Sequence, residues 1–304
     1  MANRPHALKR TSYNIINPMK KNRLTFYTKY TQGLRIDSLK EAAQTLGIDF
    51  HVANYDSIEE VQKNLQEFGE VVMNTTRPLN KIDRTIVTEL LQKNGNRIIN
   101  NHHYTHPLYG NKYFQQSYLK TYNVCPTIPS AYCQKEEELD NVLIQKNITF
   151  PCIAKKTVGS EGKHVYIVQS KEELLALPYD ISELVMQPFI QNDGDYRVYI
   201  VNGKSLGVMK RIGKEGDFRN NISQGGEGIH ITDPTEKNAV EDIALKVAKA
   251  MQYEIVGVDI IHDKQDNIYR FLETNSQAYW GAYHEIINVD VAMHIMKYAK
   301  QLMN

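Results

Sequence analysis

Cysteine, tryptophan and long apolar runs are all scarce in this chain. Its three cysteines, Cys125, Cys133 and Cys152, are odd in number and lack metal or redox spacing. Neither a disulfide framework nor a zinc ribbon is expected, and buried free thiols in a reducing compartment are. No apolar stretch approaches the ~18 residues of a membrane span, and no charged-then-apolar signal opens the chain. A cytoplasmic protein without membrane association is the expectation. Lys and Arg number 36 against 35 Asp and Glu, so there is no global nucleic-acid footprint. A Gly-x-Ser-x-Gly elbow, a Walker A loop and a dinucleotide fingerprint are missing, which sets aside the chemistries they carry. The histidines, His102 and His103 among them, are not expected to build a zinc site on a helix. Acid is missing from the first stretch: eight Lys or Arg residues precede Asp37. That stretch reads as a solvated N-terminus or a basic lip for an acidic partner. A mitochondrial presequence is a third reading, opposed by the strand-like run Leu24 to Tyr30.

What is present alternates. Leu24 to Tyr27, Phe50 to Tyr55, Glu70 to Asn74 and Arg97 to Asn100 read as strands. Between them, Ser38 to Leu46 (stopped by Gly47), the face Ile58, Val61 and Leu65, and Ile82 to Gln92 read as helices. Strand–helix alternation predicts an open α/β sheet. A helix over roughly Lys112 to Tyr122 follows, then Pro126 and Pro129 mark a break. Ile148 to Lys155 and Val165 to Gln169 form a hairpin, Leu184 to Ile190 another strand, and Tyr196 to Val201 pairs with Ser205 to Lys210 across Asn202-Gly203. Glu236 to Met251 reads as a helix with Asp233 as N-cap, Pro234 at its first position and Glu236 closing a capping box. Val240, Ile243, Val247 and Met251 are its buried stripe.

The segment that carries most chemistry is Gly257 to Asn275. It reads as a hairpin turning through His262 to Asn267, so that Asp259 falls opposite Glu273. Side chains two apart share a strand face, which brings Asn275 beside Glu273. Opposite cross-strand positions lie about 5 Å apart. Two carboxylates and an amide oxygen suit Mg²⁺, with phosphate oxygens completing the shell; the plain alternative is a solvated hairpin end. Lys155 closes a strand before Gly159 and Gly162, where backbone N–H groups can approach phosphate, or where an ordinary glycine hairpin simply exposes a lysine. Met209 to Gly226 gathers Arg211, Lys214, Arg219, Asn220, Asn221 and four glycines, a composition suited to phosphate or carboxylate oxygens, the alternative being a flexible loop. Asp195 and Arg197 lie two apart on one strand face, where a structural ion pair is the plain alternative to a functional role.

These residues carry a family resemblance. From about Asn111 to its end the chain resembles the ATP-grasp ligases, in particular the RimK-like group of ATP-dependent carboxylate–amine ligases, several of which add glutamate. It runs collinearly through FPCIAKKTVGSEG, MQPFI, DYRVYIVNG, KRIGKEGDFRNNISQGG, GVDII and LETN. The resemblance implies an α/β chain: a pre-ATP-grasp domain over 1–105, then the two α+β grasp lobes over 106–190 and 191–304. It implies phosphate-binding roles for Lys112 and Lys155, and a nucleotide-covering loop over Gly159, Ser160 and Gly162. Gln187, Pro188, Phe189 and Ile190 would line the adenine, and Asp195 would accept a ribose hydroxyl. Arg211 would stabilise the transferring phosphoryl group, with Asn221 nearby, so that Lys155, Arg211 and Asn221 form the catalytic set. Asp259, Glu273 and Asn275 match the Mg²⁺ ligands, with two ions expected and Mn²⁺ as an alternative.

Two departures stand out. A small Ser-Pro-Gly turn usually follows the metal ligands in this family; here Ser276 to Gly281 includes Tyr279 and Trp280. The adenine segment carries Pro188 where an acid is common. The resemblance implies ATP, Mg²⁺ and a small-molecule or peptide carboxylate and amine as partners, joined through an acylphosphate with release of ADP and phosphate. Arg197, Arg219, Asn220, Tyr279 and Trp280 are the expected substrate-facing residues, unless Trp280 packs into the core. A ligase acting on a ribosomally made peptide and a non-catalytic ATP-binding module are the rival readings, and homo-oligomerisation is compatible with all three.

Overall fold

The computed structural model describes residues 20–74, 80–106, 108–159, 164–214 and 226–303. The first unit alternates as its periodicity predicts: β1 (Lys20–Tyr27), α1 (Leu34–Leu46), β2 (Asp49–Ala53), α2 (Ile58–Lys63), β3 (Gly69–Asn74), α3 (Lys81–Lys93), β4 (Arg97–Ile99) and α4 (Asn101–Thr105). Its four strands are parallel in the order β2-β1-β3-β4. Connections leave β1 and β3 toward opposite edges, so the switch point of the sheet lies between these two strands. Gly47 ends α1 in the left-handed conformation and returns its N–H to Ala43 and Gln44.

The next elements are α5 (Lys112–Thr121), α6 (Leu139–Gln145), β5 (Cys152–Lys156), β6 (Val165–Val168), α7 (Lys171–Leu175) and β7 (Leu184–Pro188). Strands β6-β5-β7 form a three-stranded antiparallel sheet over a core of Leu139, Leu143, Cys152, Ala154, Leu184 and Met186. A division at 106 groups α5 with this lobe, but the apolar face of α5 packs elsewhere. Leu119, Phe114 and Tyr118 join the core of the following sheet. The chain crosses between sheets at the predicted proline break: Thr127 bridges Phe271, and Ala131 bridges Met186.

The third unit contains β8 (Asp195–Val201), β9 (Lys204–Ile212), β10 (Glu227–His230), α8 (Pro234–Ala250), β11 (Ile255–Asp263), β12 (Ile268–Asn275), α9 (Gly281–Ile287) and α10 (Val291–Leu302). Its strands are antiparallel in the order β10-β9-β8-β11-β12. The β8–β9 turn places Asn202 and Gly203 both at positive φ, 50° and 69°, as a tight hairpin turn requires. Asp233 caps α8 through the Glu236 N–H, but the Glu236 carboxylate accepts from the Tyr196 hydroxyl at 2.5 Å instead of closing a capping box.

Both faces of this sheet are covered. Tyr196, Val198, Val256 and Val258 pack under α8, and Tyr199, Val201 and Ile255 face α9, α10 and the first unit. The latter core is continuous from Leu24 and Phe26 of β1 through α1 to α10. Asn100, in the left-handed conformation after β4, pins the junction. Its Oδ1 accepts from the N–H groups of Glu254 and Ile255 at 2.8 and 3.0 Å, and its Nδ2 donates to Ile255 O at 2.6 Å. Asn100→Gly keeps the backbone conformation and removes all three bonds. Each buried group left unpaired costs about 1–3 kcal/mol, so urea unfolding is expected to show a loss of roughly 2–4 kcal/mol. A change below about 0.5 kcal/mol would mean that Asn100 does not hold the joint.

Candidate active site

Strand alternation lines up a row of charge on the face opposite α8. Asp195 and Arg197 of β8, Arg211 of β9 and Asp259 of β11 occupy odd positions, with Asp195 opposite Arg211, Arg197 opposite Asp259, and Asp259 opposite Glu273. Arg197 grips Asp259 with two bonds, Nε at 2.7 Å and Nη2 at 2.6 Å. Arg211 donates to Asp195 at 2.6 Å and lies 3.0 Å from Asp259. The strand-mate pair of Asp195 with Arg197 does not form; each finds its partner on a neighbouring strand. Asp259 is 2% and Arg211 4% exposed. Charges this deep persist only when paired. Burial works against the charge on Arg211, but Asp195 and Asp259 outweigh it and raise its pKa above the ordinary value.

The opposition of Asp259 and Glu273 depends on a bulge. From the turn upward, Asp263 pairs with Ile268 and Ile260 with Phe271; one step on, Asp259 meets Glu273. Leu272 is the extra residue, and in an unbulged register Asp259 would face Leu272. The carbonyls of Phe271 and Leu272 both accept from Gln116 Nε2 of α5 at 3.0 Å, while Gln116 Oε1 takes the Ile128 N–H at 2.9 Å. Gln116 thus braces the bulge, a role that sequence reasoning misses. Its only signal there is an amide on a helix face shared with Leu119. Gln116→Leu is expected to leave those carbonyls unpaired, lowering stability by about 1–3 kcal/mol and slowing any reaction that uses Glu273; equal rates in a destabilised variant would separate the bulge from the chemistry.

Beyond the bulge, Asn275 Nδ2 lies 3.1 Å from Asp259 Oδ2 and 3.2 Å from Glu273 Oε1. A donor bridging two carboxylates stands where a cation would be favoured, and turning the amide offers its oxygen instead. Two carboxylates and an amide oxygen are hard donors that fit Mg²⁺. Among the described residues no group of three or more His, Cys, Asp or Glu converges to hold a metal. His102 and His106 do stand four apart, but their rings stack on one another at 5.9 Å.

Two lysines close the site from the other lobe. Lys112, at the start of α5, donates to Gly159 O at 2.8 Å and lies 3.2 Å from Glu273. It therefore links the loop after β5 to the end of β12. Lys155 of β5 is 4% exposed, and among the described residues its ammonium has no hydrogen-bond or ion-pair partner. Burial pulls its pKa down to about 8, with Lys112 adding to the fall and Glu273 opposing it. Burial disfavours ionised Glu273, yet Lys112 and Lys155 hold its carboxyl at about 2. A buried, unpaired cation beside a lysine–glutamate pair is a place for an anion.

Gln187 to Ile190 lie at the end of β7, between the two sheets. Gln187 is buried with Nε2 on Ser130 Oγ at 2.8 Å, Phe189 is exposed, and Ile190 packs with Ile128, Ile261 and Leu272. That small apolar cluster lies beside the charged row. Ser160, Gly162, Arg219, Asn220 and Asn221 lie outside the described residues. Tyr279 is exposed, whereas Trp280 is buried against Tyr199 in the core shared with the first unit. Gly257 makes room for this loop, since a Cβ there would come within 2.6 Å of Ala278 Cβ.

Comparison with known proteins places the chain among ATP-grasp folds. A model of the RimK-like ATP-grasp domain matches residues 115–299. A probable alpha-L-glutamate ligase of Histophilus somni (strain 2336) is 30% identical over 155 residues, 49% of this chain and 50% of that protein. Beta-citrylglutamate synthase B of Homo sapiens is 28% identical over 161 residues, 51% of this chain and 41% of that protein. The chain spans about half the length of the curated relatives it matches. The ATP-grasp ligase PsnB, complexed with minimal precursor, Mg and ADP, superposes with a TM-score of 0.68 at 16% identity, covering 94% of this chain and 99% of that one. At such identity the likeness concerns the fold.

Proposed function

This chain belongs to the RimK-like ATP-grasp family, and from that membership we propose that it is an ATP-dependent ligase joining a carboxylate to an amine. The observation that carries the proposal is the convergence of Lys112, Lys155 and Arg211 on Asp259 and Glu273, with Lys155 buried and unpaired among the described residues. The Lys155 and Lys112 ammonium groups bind nucleotide phosphates, beside the Gly159 loop. The backbone of Gln187 to Ile190 takes the adenine, over the apolar cluster of Ile128, Ile190 and Ile261. Asp195 holds Arg211 with Oδ1 and offers Oδ2 to a ribose hydroxyl. Asp259, Glu273 and Asn275 hold Mg²⁺, two ions in the fullest form, while Arg197 fixes the orientation of Asp259. Bound there, Mg²⁺ screens phosphate charge and polarises the γ-phosphoryl group.

The reaction then needs no covalent protein nucleophile. A substrate carboxylate oxygen forms a bond to the γ-phosphorus as the bond to ADP breaks. An amine next attacks the acyl carbon, loses a proton, and phosphate departs, leaving an amide. Arg211 faces the transferring phosphoryl group, where its planar fork offsets charge that would keep two anions apart. Burial between the lobes keeps water from the acylphosphate. The purified chain, incubated with Mg-ATP and pooled amino acids and carboxylates, is expected to form ADP together with a product of summed mass less one water. AMP in place of ADP, or no nucleotide turnover with any pool, would overturn the reading.

A further inference from the structure

Among the described residues Arg35 is a cation without a carboxylate partner. It stands at the start of α1, directly after the loop that leaves β1. Its guanidinium lies 4.9 Å from the centre of the Trp280 ring. Nη2 donates to Gln277 O at 2.9 Å and to Ala278 O at 3.4 Å. Nε and both N–H groups of Nη1 donate to nothing among the described residues. The titratable groups that face it are the phenols of Tyr199, Tyr104, Tyr279 and Tyr30, and burial lowers its pKa. An arginine so surrounded has lost water without gaining an anion, a costly arrangement for a fixed charge.

Its position in the fold gives it a use. Open parallel sheets bind ligands beyond the carboxyl ends of their strands at the switch point, and here that point lies between β1 and β3. The guanidinium reaches from that crevice to the loop that follows the metal-ligand strand. Gln277 stands two residues past Asn275, a span of at most roughly 7 Å of chain. Its side chain also approaches the Tyr104 hydroxyl closely enough to oppose the rise that burial gives the phenol's pKa. The crevice of the first unit and the end of β12 therefore share one lining.

We propose that Arg35 is the specificity residue that holds the non-reacting carboxylate of an amino-acid substrate. This rests on the ligase reading above. The free Nε–H and the Nη1 N–H groups, which point away from one another, offer single donors to a carboxylate oxygen. Trp280 keeps the guanidinium plane fixed, so little freedom is lost on binding. Trp280 thus shapes recognition from within the core, through Arg35, and not as an exposed wall. The phosphates of the nucleotide fall to Lys112 and Lys155, beside Glu273, so the two anions are handled by different cations.

The test uses the full chain, Mg-ATP, the twenty α-amino acids as pooled free acids, and the same set as α-carboxamides, with ADP release as readout and a fixed carboxylate pool. The wild type is expected to respond to free acids and not to the carboxamides. Arg35→Gln should raise the KM for the acid about 10–100-fold, with the KM for ATP unchanged and the preference for acid over amide lost. Arg35→Lys, which keeps the charge but not the separate Nε and Nη1 donors, should fall between them and guards against a folding defect in the first variant. Equal use of acid and amide by the wild type, or an unchanged KM in folded Arg35→Gln, overturns the proposal and leaves the ligase intact. If no amino acid drives ADP release while calorimetry still shows Mg-ATP binding, the amino-acid inference falls and the nucleotide site stands. If Mg-ATP does not bind, the ligase reading itself falls.

Discussion

Replacing Glu273 by Gln together with Asn275 by Ala is expected to lower ADP formation by at least about 10³-fold, close to 4 kcal/mol of transition-state stabilisation. Glu273 is the carboxylate that the bulge at Leu272 turns toward Asp259. The double change leaves Asp259 alone, and Asp259 is already gripped by Arg197 and Arg211. One carboxylate under two arginines is a poor hard-cation site. The fold should survive, because a glutamine side chain matches the shape of glutamate and the lost partners, Lys112 and Asn275, reach Glu273 from half-buried positions. A melting curve and a coupled ADP assay on the same preparation decide the matter. A folded double variant with full turnover would remove these residues from the metal role. In the wild type, chelation of divalent ions should abolish ADP formation and added Mg²⁺ restore it.

How much of this is legible in the sequence can be traced residue by residue. The β11–β12 hairpin is readable because both strands alternate around a polar turn, a local signal. A turn centred on Asp266 places Asp259 opposite Glu273, and the observed pairing is the same. The path to it differs: the turn lies half a residue earlier, and the bulge makes up the difference. The brace on that bulge, Gln116, lies 155 residues away from Phe271 along the chain, beyond any periodicity. The same limit applies to Arg197. Its register against Asp259 depends on how β8 pairs with β11, and nothing within either strand announces it. The Arg211–Asp195 pair is equally a product of register.

Larger pieces are hidden for a different reason. Helices α9 and α10 and strand β10 are absent from the sequence reading. Yet α10 packs on α1 and joins the first unit to the last in one core. Its apolar stripe is visible only once its partner is known, since Ile295 and Met296 bury against the first unit as well as the sheet. Trp280 illustrates the ambiguity. Position beside the metal strand suggests a pocket wall, whereas the ring lies in the shared core and carries Arg35 on its face. The alternation of the first unit is legible strand by strand because helix stops such as Gly47 are encoded within a few residues.

Lys155 and Arg211 should fail in different ways, and the contrast tests the division of labour in the site. Lys155 is buried with no hydrogen-bond or ion-pair partner among the described residues, so Lys155→Met removes a charge that only Glu273 feels favourably, while keeping similar shape and volume. Stability should hold or rise slightly, since the desolvation of an unpaired ammonium disappears. Nucleotide affinity should fall about 100-fold, close to 3 kcal/mol, as one charge-assisted phosphate contact is lost. Arg211 is different, being bonded to Asp195 and Asp259. Truncation to Ala would strand buried Asp195 and leave Asp259 with Arg197 alone, at a cost of roughly 3–5 kcal/mol of folding stability, which would obscure any catalytic effect. Arg211→Lys is the sounder change, because it keeps the charge and removes the planar fork. It should leave nucleotide affinity within a few-fold of the wild type while lowering kcat by about 10²–10³-fold, in the range seen when one charge-stabilising donor is removed. Calorimetry with a non-hydrolysable ATP analogue and single-turnover ADP formation separate the two quantities. If Lys155→Met binds nucleotide as tightly as the wild type, the phosphate role is lost; if Arg211→Lys weakens binding and leaves the chemical step untouched, Arg211 belongs to the ground state and not to phosphoryl transfer.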